Sequence, residues 1–300
     1  MKTTLSTFVL WAALALPGVA QAGKPDGKPE PRPANKPAAE ATADKNQADK
    51  HAPKVALSDA GKSALAAAKE NVARSRGAKG PERSHALEMA ASAYDKVAGD
   101  FHGEPAVAAA AAIAAAELWR QQGSLPLAEK DYLLAAQLDT ARFVQRALLG
   151  AADMQRRQKR NDDAFATYAK VIAVDPGSSR AQDARLWQGR LLQAGERLDD
   201  AIVMFQSALE SADPGAETIE ACNFLALAWI DKGDLDAAGR ALEHAEQHVA
   251  GMAEEDPIVK ERVQKALDGM SGKKALQRAR DKQNQVGKDA AGLEAGRTGK

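Results

Sequence analysis

The sequence predicts an all-α protein: an α-solenoid of four to five helix-turn-helix repeats, with a C-terminal capping helix and disordered tails. Three observations lead there. The triplet Ala164, Tyr168 and Val171 recurs as Ala128, Tyr132 and Ala135, as Ala201, Phe205 and Ala208, and as Ala238, Leu242 and Ala245. The leading alanines are 36, 37 and 37 residues apart, a register that unrelated amphipathic helices do not keep. Finally, no stretch alternates apolar with polar side chains and is enriched in β-branched residues, as a strand would be.

The first 22 residues read as a secretory signal peptide. Lys2 precedes an apolar run from Leu5 to Leu16, Pro17-Gly18 breaks it, and Ala20 and Ala22 form an A-x-A cleavage site. The run is short for a bilayer, and no cysteine follows the site to accept a lipid. The expectation is an exported chain, periplasmic or secreted, without stable membrane insertion after cleavage at Ala22; an uncleaved N-terminal anchor is the alternative. Residues 23–54 hold six of the thirteen prolines and no aliphatic side chain larger than alanine. Such a segment buries too little apolar surface to offset the entropy of ordering it, so it is a disordered tether with an end-to-end reach of about 30 Å.

Residues 55–104 hold a faint copy of the triplet at Ala90, Tyr94 and Val97 and are taken as a degenerate N-terminal hairpin. Four full repeats follow over 105–250. Each triplet helix is preceded by another helical stretch, the first of them "AVAAAAAIAAAELW" from Ala106 to Trp119. Its fourteen residues start after Pro105 and end in "RQQGS", which makes it a tightly packed helix rather than a membrane span. Gly123, Gly195 and Gly233 stand where the first helix of a hairpin must stop, because glycine adopts the left-handed conformation without a Cβ penalty. One hairpin alone buries too little, and stacked hairpins share a continuous core.

The stretches "WRQQGSLPLAEKDYLLAAQLD", "DDAFATYAKVIAVDP" and "WIDKGDLDAAGRALEHA" resemble the tetratricopeptide repeat family, whose unit is a helix-turn-helix with alanine, aromatic, alanine and a terminal proline on its second helix. The resemblance covers about half the chain. Three departures stand out: the units run two or three residues long, Gln155 falls where an aromatic is usual, and either Trp187 or Gly189 could take the tight interhelical position of the third repeat.

Residues 251–270 form the expected cap, with Val259, Val263, Ala266, Leu267 and Met270 on one face and charges outside. Residues 271–300 carry eight Lys or Arg against three Asp or Glu and almost no large apolar side chain. They read as a basic disordered tail, either a solvating end or a contact for an anionic surface.

Motifs that carry chemistry are weak. "ALSDAGKS" (56–63) only loosely fits a phosphate-binding loop and follows a proline-rich tether instead of a strand, so Ser58 is better read as a helix N-cap. His244 and His248 are an i, i+4 pair without the glutamate of a metalloprotease motif or a third ligand. Cys222 is the only cysteine, so no intrachain disulfide forms, and it lies on an apolar face as a core residue. No serine, histidine and carboxylate arrangement stands out. No catalytic residue, cofactor or metal is expected. The 41 basic and 41 acidic side chains cancel, so no global field draws the chain to nucleic acid.

The resemblance implies a concave groove lined by first helices, where the family binds peptides. Here those faces carry Arg120 and Gln121, then Arg146, Asp153, Arg156 and Arg157, then Arg185 and Gln193, then Asn223. Arginine forks bind carboxylates bidentately, so an acidic or C-terminal carboxylate partner suits the groove; an ordinary solvated face is the other reading. The set does not closely reproduce the family's carboxylate clamp. The expected function is a non-catalytic protein-interaction scaffold of a bacterial cell envelope. The alternative is a self-assembling structural protein, with a metal-dependent or nucleotide-binding enzyme as the remoter one.

Overall fold

The computed structural model describes residues 57–210, 216–252 and 257–298, without the side chains of 74 and 291–298. The leader expected at 1–22 and the tether expected at 23–54 lie outside the described residues. Twelve helices follow one another among them: α1 (Asp59–Gly77), α2 (Gly80–Asp100), α3 (Pro105–Gln122), α4 (Leu125–Leu138), α5 (Val144–Arg157), α6 (Asn161–Val174), α7 (Ser179–Ala194), α8 (Leu198–Glu210), α9 (Ala216–Lys232), α10 (Leu235–Gly251), α11 (Pro257–Asp268) and α12 (Ser271–Thr298). From α1 to α10 each helix packs chiefly on its neighbours in sequence. The result is an α-solenoid of five hairpins.

Local chemistry sets the helix ends. Ser58 caps α1, its hydroxyl accepting from the Gly61 amide at 2.9 Å, and Ser178 and Asp234 do the same for α7 and α10. Four hairpins turn by one device. A left-handed residue donates to the carbonyl three residues back, and the next residue donates to the carbonyl five back, which is the Schellman pattern. The pairs are Gly123 to Arg120 with Ser124 to Trp119, Lys159 to Arg156 with Arg160 to Gln155, Glu196 to Gln193 with Arg197 to Leu192, and Gly233 to Ile230 with Asp234 to Trp229. The left-handed residues are Gly123, Lys159, Glu196 and Gly233, with φ of 91°, 63°, 60° and 88°. The expectation at Gly195 is corrected: its φ is −91°, because the α7 turn runs one residue longer and puts Glu196 in the left-handed position.

Packing explains the repeated triplet. Ala128, Ala164, Ala201 and Ala238 are fully buried, and so are Tyr168 and Phe205. In the third repeat the tight position belongs to Gly189, where an added Cβ would lie 2.5 Å from the Phe205 ring. Ala106 to Trp119 is the buried helix α3, and no described helix is long and apolar enough to cross a membrane. Gln155, at the position usually aromatic, donates to Glu129 at 3.0 Å. Glu129 is buried on α4 and also accepts from Gln158 and Arg160, each at 2.7 Å. A three-donor carboxylate therefore takes over the joint that an aromatic ring would have made between the first two full repeats.

The curve has an inside. The first helices α5 and α7 touch each other, as do α7 and α9, whereas among the described residues no second helix makes comparable contact with the next second helix. First helices therefore line the concave side. The pair α3 and α5 lacks such a contact, which leaves the curve open there.

The C-terminal expectation is corrected. Residues 271–298 form helix α12, and α12 packs on α9 and α10, as α11 does. Gly272 and Leu276 are buried against the last hairpin, and Lys273 bridges to Glu246 at 2.7 Å. A glycine, one leucine and small alanines suffice to seat the first turns, and the alanine, lysine, arginine and glutamine of the segment favour a helix. Position 272 lies against Leu242 of α10 and against Asn223 and Ala226 of α9, so α12 seats on both helices of the last hairpin. The expected cap is thus shared between α11 and α12. From Asp281 to Ala290 every residue of α12 is exposed.

Candidate functional site

A cleft of about 370 Å³ opens on the concave side over the second full repeat. Arg120 of α3, Arg146 and Asp153 of α5 and Trp187 of α7 reach it, above Leu149 and Gly150. The expected residues Arg120, Arg146 and Asp153 are therefore brought together. Arg156 stands beside them with its guanidinium 3.7 Å from the centre of the Trp187 ring. Gln121 and Arg157 are exposed at the ends of their helices.

The charges are largely spoken for. Arg120 pairs with Glu117 at 2.7 Å, and that hydrogen bond raises its pKa first of all. Arg156 pairs with Asp153. Arg146 is exposed and has no ion pair among the described residues. Tyr168 lies beneath, its phenol pushed up to about 12 by burial.

Other expected residues have different places. Arg185 is corrected: it is buried, and its guanidinium donates to the Pro176 carbonyl at 2.9 Å, holding the loop before α7 instead of facing the groove. Burial lowers its pKa. Gln193 donates to Asp231 at 2.6 Å across to α9. Asn223 accepts from the Gly272 amide at 2.9 Å and lines a smaller cavity of about 300 Å³ that Ala266 of α11 and, just after that helix, Gly269 and Met270 help to wall. The chain's own C-terminal segment therefore covers the groove at α9.

Three site residues escaped the sequence reading. Trp187 is flanked by Arg156 and by Arg190, the latter at 4.2 Å, and Arg190 lies 4.6 Å from the Phe224 ring. Burial is the main cause that lowers the Arg190 pKa. Phe224 stacks on Phe205 with centroids 5.8 Å apart. The signal was available: Ala114, Gly150, Trp187 and Phe224 each stand fourteen residues before a leading alanine. In that register the groove carries two small residues and then two large rings.

The remaining motifs acquire structural surroundings. Cys222 is fully buried with its thiol pushed up to about 11 by burial, so it is protonated at neutral pH. Its sulfur lies 3.6 Å from Nδ1 of His244. Burial, and then the neighbouring His244, lower the pKa of His248. Among the described residues no group of three or more His, Cys, Asp or Glu is arranged to hold a metal.

A sequence model described as "Tetratricopeptide repeat" matches residues 146–178, which is α5, α6 and the turn into α7. Comparison with curated proteins gives no match. Among solved structures, the MamA protein is similar at 16% identity with a TM-score of 0.51, over 67% of this chain and 97% of that one. The MamA RS-1 ArsTM double mutant is similar at 15% identity and 0.50, over 67% and 100%. A tetratricopeptide repeat protein from Parabacteroides merdae ATCC 43184 is 17% identical with a TM-score of 0.49, over 75% and 79%. At such identities the first two likenesses speak for a shared fold alone.

Proposed function

From the premise that this chain belongs to the tetratricopeptide repeat family, we propose that it is a non-catalytic adaptor that captures a segment of a partner protein in its concave groove. The fold is that of a protein-interaction scaffold. The observation that carries the finer reading is the open cleft over α5, where first helices from three successive repeats converge. Arg146 and Arg157 are the cations left to meet a carboxylate of the segment, whereas Arg120 and Arg156 are held by Glu117 and Asp153. Because both signs line the cleft, charge would fix the register of the segment more than its bulk attraction. The leader-like first 22 residues support an envelope location, periplasmic or secreted.

Photo-crosslinking in intact cells tests this, with the reactive side chain at exposed position 121, next to Arg120 of the cleft. A discrete partner band is expected. Reversing charge with Arg156→Glu and Arg157→Glu together should reduce capture about tenfold or more while helical content is kept. Undiminished capture would remove the groove from the account.

A further inference from the structure

The cleft over α5 lies where one register of the chain has a bare backbone, with the Tyr132 ring packed on it as part of the lining. Trp187 rises from α7 and Phe224 from α9 at the same repeat position, and Phe224 stacks on the ring of the preceding second helix. At that position α5 has Gly150, and Tyr132 leans so closely on its bare backbone that an added Cβ would meet the ring at 2.6 Å. No side chain rises from residue 150 into the groove. On either side stand Leu149 and the Trp187 ring, which two guanidiniums already hold in place. Arg146, exposed and without an ion pair among the described residues, lines the same cleft.

We propose that this cleft is a socket for one aromatic side chain of the partner segment, with a carboxylate next to that residue meeting Arg146. The partner would supply the planar group that the chain itself supplies in the next two repeats. The walls suit a ring, since aromatic faces and guanidinium planes stack on one another and Trp187 is fixed before the ligand arrives. The rim fits the charge: one unpaired arginine donates bidentately to one carboxylate, while Asp153, Glu117 and Asp183 along the same cleft oppose a run of acidic residues. The proposal rests on the groove reading above and narrows its ligand to an aromatic residue flanked by an acid.

The probe is N-acetylphenylalanine with its free carboxylate, added to the isotope-labelled full chain up to about 10 mM, a range that detects affinities near the millimolar level. Shifts are expected at the Gly150 amide and the Trp187 indole N–H. N-acetylleucine and the amide of N-acetylphenylalanine should each bind at least about fivefold more weakly, as should the original probe to Arg146→Ala. Leu149→Trp fills the socket and should abolish the shifts, with its melting curve confirming that it folds. Absence of shifts at both positions, or equal binding of the leucine compound, overturns the proposal. Selection of random peptides on the full chain separates the two readings. Groove-bound peptides rich in aromatic residues support the socket. Peptides lost on reversal of Arg156 and Arg157 but without an aromatic residue contradict it and leave the groove reading standing. If no peptide binds the groove, the groove reading fails and the socket for a partner segment fails with it.

Discussion

Asp131 shows how much a single buried side chain can depend on its surroundings. It is 2% exposed on α4, and its pKa is pushed up to about 7, first by burial and then by Asp95 of α2. Asp95 in turn accepts from the Trp119 indole at 3.3 Å. The folded chain therefore holds this proton more tightly than the unfolded one. Its stabilisation is complete below an ordinary carboxyl pKa of 3.8 and is lost as pH rises through about 7. Melting temperatures measured from pH 4 to pH 8 should fall over this window by a component that Asp131→Asn removes. A variant that retains the full slope would contradict the assignment. No local signal marks it: Asp131 reads as one more polar residue between Ala128 and Tyr132, and only the fold brings Asp95 to it. The same holds for Arg185, whose face is ambiguous by spacing and which donates to a backbone carbonyl.

At the scale of the element, the hairpin turns were legible wherever glycine marked them. Gly123 and Gly233 are left-handed as expected, but Lys159 and Glu196 adopt the same conformation with a side chain in place. A turn that can be made by lysine or glutamate leaves no mark in the sequence. Because a Cβ is disfavoured there, Lys159→Gly and Glu196→Gly should each stabilise the chain by about 0.5–1 kcal/mol, the relief of left-handed strain less the added freedom of glycine when unfolded. Urea unfolding measures this, and destabilisation by both would contradict the turn geometry. α12 was missed for a related reason. Amphipathic helices announce themselves by a broad apolar stripe, whereas this one docks through Gly272 and Leu276. With Lys274, Gln277 and Arg278 exposed on it, α12 presents a polar surface at this end of the solenoid, as a terminal helix requires. That weakens the alternative of end-to-end assembly through the C-terminal end.

For the whole molecule, the period of the triplet carried the architecture, since a fixed register admits few arrangements other than stacked hairpins. The groove was less legible. Its position followed from the family resemblance, and several of its arginines were named, but their ion pairs and the C-terminal cover over α9 needed three-dimensional neighbours. The structure places the open section at α3, α5 and α7, with Trp187 as its wall and Arg190 and Phe224 filling the stretch beyond. The account therefore makes a directional claim about where a partner lies. Hydrogen exchange of the full chain, alone and with its captured partner, tests that claim most directly. Slowed exchange confined to α3, α5 and α7 is the predicted result, and slowing confined to α4, α6 and α8, with the first helices unchanged, would contradict it.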